Sequence, residues 1–127
     1  MHLSETSENG IDILELCGEI DLHFAPVFRA LLRAKAKAHC PALLLNMTEV
    51  EFIDSTSIAA ILEYLRASTH FGGRFCIGGL SPHLRTVFEI VRLDKGMAIY
   101  TDFAEAKSAF VQDRLPPPEE PLFASTA

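Results

Sequence analysis

Apolar residues recur along the chain in two rhythms, one near period two and one near 3.6, and the changes between them mark out the elements. Asn9-Gly10, a dipeptide suited to a tight turn, separates Leu3–Glu8 from the strand-like segment IDILELCG. An opening hairpin is expected there. Pro26 suits the first turn of a helix, where its missing N–H is not needed. Phe24, Val27, Phe28 and Leu31 follow at i, i+3, i+4 and i+7 and predict that helix's inward face. Pro41 breaks the chain before ALLLNM (42–47), a short wholly apolar run typical of a strand buried on both faces.

The rhythm returns to 3.6 at Ile58, Ile61, Leu62 and Leu65, and Gly72-Gly73 predicts the end of that helix. RFCIGG (74–79) has the composition of another buried strand. Ser81-Pro82 is a helix start, a capping hydroxyl followed by proline, with Leu84, Val87, Phe88 and Val91 facing inward. MAIY (97–100) predicts a short last strand, and Thr101 or Asp102 can cap a final helix running through Phe110. Strands alternating with helices after a hairpin imply an α/β domain. We expect a mixed, mostly parallel sheet of four to five strands with about four helices. There is no internal repeat. Residues 1–113 form the expected domain, and 114–127, with three consecutive prolines from Pro116, a disordered and extended tail.

Composition narrows the class. A chain of 127 residues suits one domain that buries roughly two thirds of its unfolded surface. No apolar run approaches the ~20 residues that span a bilayer, and MHLSETSENG lacks the basic start and apolar centre of a secretion signal. A cytoplasmic protein without direct membrane insertion is expected. The net charge of −6 argues against direct nucleic-acid binding, which relies on clustered positive charge. The one basic run, Arg29, Arg33, Lys35 and Lys37, is expected to be a solvated helix face. The three cysteines are far apart and no histidine pair has helical ligand spacing, so neither metal nor cofactor is expected. Cys17 and Cys76 sit in strand-like runs as small core residues, and Cys40 precedes a proline at a loop entry.

Candidate chemistry concentrates in FIDSTSIAAI (52–61), an aspartate and three hydroxyls ahead of an apolar helix. An aspartate in mid-domain invites comparison with a phosphate-accepting receiver, whose magnesium needs further carboxylates. CGEID offers Glu19 and Asp21, yet Asp54 lies seven residues beyond the apolar run ending at Met47, and no lysine after MAIY is placed to hold a phosphate. Gly72-Gly73 and Gly78-Gly79 lack the Gly-Lys-Ser/Thr of a phosphate loop. A hydrolase would make Ser55 a nucleophile, but there is no GxSxG elbow, and His70 would sit about 20 Å along the same helix. Catalysis is not expected. Two roles remain for Ser55, Thr56 and Ser57: helix caps, or a regulatory site. A helix start exposes unpaired N–H groups and a positive dipole end, so it suits a phosphoryl group as well as a cap.

Three stretches, GEID at 18–21, LLLNMTEVEFIDSTSIAAI at 43–61 and GGRFCIGGLSPHLRTVFEI at 72–90, resemble the STAS domains, named for sulphate transporters and anti-sigma factor antagonists. The resemblance covers about residues 3–112. Similar stand-alone members are phosphorylation-controlled switches. It implies that the unphosphorylated form binds an anti-sigma factor that is also a serine kinase of the GHKL type, freeing a sigma factor. A phosphatase of the PP2C type reverses the modification. The acceptor is the hydroxyl directly after the motif's aspartate, which maps to Ser55, with Thr56 the second choice. Asp54 would position the turn, and Asp21 would lie on the partner-facing end of the sheet. The partner-binding set it implies is Asp21, Asp54, Ser55, Thr56 and Ser57.

The family commonly has glycine where this chain has Ser57, and leucine where it has Ile58. Ser57 is therefore expected to add a side chain where a kinase approaches closely. The other reading is a STAS subunit of a lipid-transport or stress-signalling complex that works without phosphorylation.

Overall fold

The computed structural model describes residues 2–21, 23–90 and 98–111. Strand β1 (His2–Glu8) turns through Asn9 and Gly10, both at positive φ, into β2 (Ile11–Ile20). Helix α1 (Ala25–Lys37), β3 (Ala42–Ile53), α2 (Ser55–Phe71), β4 (Arg74–Gly78), α3 (Pro82–Ile90), β5 (Ala98–Tyr100) and α4 (Phe103–Val111) follow. The five strands lie in sequence order, with β1 antiparallel to β2 and every other pair parallel. The mixed, mostly parallel sheet with four helices is as expected. Val91, Met97 and the 114–127 tail lie outside the described residues.

The continuous apolar run of β3 follows from cover on both faces. Leu43, Leu45 and Met47 join Leu14, Leu16 and Ile20 of β2 in a core closed by α1, α2 and α3. Ala42 and Leu44 point the other way, with Ile11, Ile13 and Cys76, against Ala106 and Phe110 of α4. Arg74 fastens α4 to the sheet: its guanidinium stacks 4.7 Å from the Phe110 ring centre and donates to the Phe110 carbonyl at 3.1 Å.

Four expectations need correction. The third strand does not stop at Met47: it runs twelve residues to Ile53, because β2 is long enough to pair with it throughout. Register shifts between Glu15 and Cys17 and between Gly18 and Glu19 keep Val50 and Ile53 buried while Glu49, Glu51 and Phe52 face out. Asp54 therefore stands directly at the strand's end. On α1 the buried stripe is Ala25, Phe28 and Leu32, with Phe24 and Leu31 half-buried against the same core as expected, but Val27 is 54% exposed. Cys17 is only half-buried, whereas Cys40 and Cys76 are in the core. Burial pushes the Cys76 thiol up to about 12, so it stays protonated.

The basic run is not simply a solvated face. Arg33 donates to Glu63 of α2 at 2.7 Å and Arg29 at 3.1 Å, tying the two helices together. Lys35, whose side chain is 14% exposed, bridges Glu5 of β1 and Asp12 of β2, the latter at 2.8 Å. Lys35 holds the Asp12 carboxyl below the usual carboxylate range, against burial that works the other way. Burial opposes the charge on Lys35, but Asp12 and Glu5 outweigh it and raise its affinity for the proton.

A depressed carboxyl contributes stability above its unfolded value, about 4, and that contribution disappears as pH falls through the folded value. The raised lysine contributes below its unfolded value, about 10.4, and its contribution disappears at more alkaline pH. Lys35→Met is thus expected to cost about 2 kcal/mol between pH 5 and 9, with the difference from the parent shrinking below about pH 4. Urea unfolding of both chains across pH checks this.

Candidate functional site

Parallel strands deliver their C-terminal ends to one edge of the sheet, and the loops there are where α/β sheets gather function. Ile20 and Ile53 are partners in the β2–β3 register, so Asp21 and Asp54 emerge side by side. The Asp54 N–H donates to the Ile20 carbonyl at 2.9 Å, which closes this edge. Asp21 then forms the turn that leads into α1, and Asp54 caps α2. The Asp21 carbonyl accepts from Phe24 N and Ala25 N, and its Oδ1 accepts from His23 N at 3.0 Å and Phe24 N at 3.2 Å. Asp54 is extended, with φ −86° and ψ 168°, and its Oδ1 accepts from Ser57 N at 2.8 Å.

The helix cap is therefore Asp54 and not a hydroxyl. Ser55, Thr56 and Ser57 are the first three residues inside α2, in a turn whose N–H groups precede any intrahelical acceptor. Their exposures differ sharply. Ser55 is exposed, Thr56 is half-buried, and Ser57 is 0% exposed. The expected obstruction by Ser57 is thus corrected: its side chain enters the core, since the third helical position faces back toward the sheet. The surface at this end consists of Ser55 together with the half-buried Asp21, Asp54 and Thr56.

Further residues complete the edge. Glu19, Asp21, His23 and Phe24 line an open groove beside the start of α1. His23 is 97% exposed, its Nδ1 3.9 Å from Asp21 Oδ2. Phe52 is 47% exposed on β3. The signal for Glu19 and Asp21 was present in GEID and that for Phe24 in the periodicity of α1; His23 had only its closeness to them.

Other chemistries lose ground in this geometry. Among the described residues no three His, Cys, Asp or Glu side chains gather as the ligands a magnesium ion would need. Ser55 and His70 occupy opposite ends of one continuous helix, so His70 cannot serve Ser55 as a base.

Known proteins share both sequence and architecture with this chain. An anti-sigma F factor antagonist of Paenibacillus polymyxa is 26% identical over 98 residues, covering 76% of this chain and 84% of that protein. An anti-sigma factor antagonist of Mycobacterium paratuberculosis superposes with a TM-score of 0.76 at 23% identity, over 85% of this chain and 92% of that one. SpoIIAA, an anti-sigma factor antagonist solved in its unphosphorylated form, gives 0.71 at 20% identity, over 87% and 98%. Among the described residues no helix is long and apolar enough to cross a membrane. The STAS domain model matches residues 4–106, from β1 into α4, and takes in the whole Asp21–Asp54 edge: the chain belongs to the STAS domain family.

Proposed function

We propose that this chain is an anti-sigma factor antagonist, a non-catalytic cytoplasmic protein that switches partners by phosphorylation of Ser55. The observation that carries the reading is one exposed hydroxyl, Ser55, at the first position of α2 and directly after the capping aspartate. The name of the Paenibacillus relative points the same way. In the unphosphorylated form the edge around Asp21, Asp54, Ser55 and Thr56 meets an anti-sigma factor that is also a GHKL-type serine kinase, and a sigma factor is released. A phosphoryl group adds about −1.5 to −2 charges at neutral pH. At a helix start that charge is tolerated by the fold, whereas a protein docked over it meets new charge and bulk. A PP2C-type phosphatase resets the switch. Thr56, being half-buried, is the poorer acceptor.

The test is phosphosite mapping by mass spectrometry on tagged chain purified from its native host. Phosphate on Ser55, lost entirely in Ser55→Ala, is the expected result; undiminished labelling of Ser55→Ala refutes the site. Parent chain that never carries phosphate and co-purifies with transporter subunits would favour a STAS subunit working without phosphorylation.

A further inference from the structure

The cap of α2 holds two polar atoms that the switch reading does not use. Ser57 Oγ and Asp54 Oδ2 are both buried, and neither meets a hydrogen-bond partner among the described residues. The hydroxyl can donate and the carboxylate oxygen can accept. They belong to residues already joined by the 2.8 Å bond from Ser57 N to Asp54 Oδ1. Buried polar atoms are rarely left unpaired, because each gives up water without a replacement. A serine has three staggered positions for its hydroxyl, so rotation about one bond redirects Oγ without moving the backbone.

We propose that Ser57 is a positioning residue: its buried hydroxyl donates to Asp54 Oδ2 and, with its own N–H on Oδ1, clamps both carboxylate oxygens. The clamp fixes the start of α2 and so the direction in which Ser55 is presented. The inference rests on the reading of Ser55 as acceptor, but its main test needs no kinase. A glycine or alanine at this position removes that hydroxyl and with it the bond to Oδ2.

A double-mutant cycle separates the clamp from ordinary packing. Asp54→Ser keeps one cap oxygen for Ser57 N and deletes Oδ2. Amide hydrogen exchange at residue 57, followed by NMR in the full unmodified chain, reports opening of the cap. Ser57→Ala is expected to speed that exchange about tenfold when Asp54 is present, the effect of losing one hydrogen bond, and to leave it unchanged in the Asp54→Ser background. Equal acceleration in both backgrounds, or none in either, overturns the proposal and leaves Ser57 as core filling. In the native host, Ser57→Ala is expected to lower the phosphorylated fraction at Ser55 severalfold. An absence of phosphate in the parent chain would sink the acceptor reading alone, since the exchange cycle stands without it.

Discussion

Ser55→Asp is expected to separate folding from binding by moving them in opposite directions. A carboxylate at the first position of α2 lies in the positive end of the helix dipole, so thermal stability should hold or rise by about 0.3–1 kcal/mol. Ser55 is exposed, and the substitution displaces no core atom. Affinity for the anti-sigma factor of the switch reading should instead fall by about 2–4 kcal/mol, roughly 30- to 1,000-fold, because a charge placed inside a docked interface loses its water without gaining a partner. Calorimetric titration against that protein, beside a melting curve of the same preparation, measures both. Unchanged binding with an intact fold would rule out an interface over the start of α2. Weakened binding with a lowered melting temperature would mean that the substitution acts through the fold.

A second large effect is expected at Gly79, just beyond β4. Its φ of +84° lies where residues with a Cβ are strained. Space is also lacking. A Cβ there would overlap Thr48 Oγ1 and come within 2.9 Å of Thr48 N and 3.0 Å of its Cα. Thr48 cannot easily yield, because its N–H and hydroxyl both donate to Asn46 Oδ1, at 3.1 and 2.6 Å, and Asn46 in turn donates to Glu15. Gly79→Ala should therefore cost about 3 kcal/mol or more, a fall in melting temperature of roughly 10 °C or more for a domain of this size.

Gly10 supplies the control. Its φ is +77° but nothing lies within 4 Å of an added Cβ, so Gly10→Ala should cost only about 1 kcal/mol. Comparable losses at the two positions would show that backbone strain, and not the approach to Thr48, governs Gly79. Adding Thr48→Ala should recover only part of the loss, since the contacts with Thr48 N and Cα remain.

Much of this molecule is set by local patterns that act over a few residues. Asn9-Gly10 closes the hairpin at positive φ, Gly72 ends α2 at φ +77°, and Ser81 Oγ accepts from Leu84 N at the start of α3. Of the two candidates for the final cap, Asp102 accepts from Ala104 N at 2.9 Å. Each of these follows from chain geometry or from a side chain reaching its own backbone, so neighbours along the sequence suffice. The alternation of strands and helices is equally local, because the two hydrophobic periods differ. The edge carrying Asp21, Asp54 and Ser55 was marked instead by the resemblance that GEID and FIDSTSIAAI carry, since the residues alone left cap and switch both open.

Properties that depend on distant segments were another matter. The length of β3 was hidden because the continuous apolar run gives way at TEVEFI to mixed polar and apolar residues, and pairing with β2 carries the strand through it. Lys35 could not be seen as an internal ion pair until α1 packed across β1 and β2 and brought Glu5 and Asp12 to it. The three hydroxyls of α2 look alike in sequence. The rotation of the helix on the sheet decides that Ser55 faces water and Ser57 the core, because only packing chooses which side of a helix is buried.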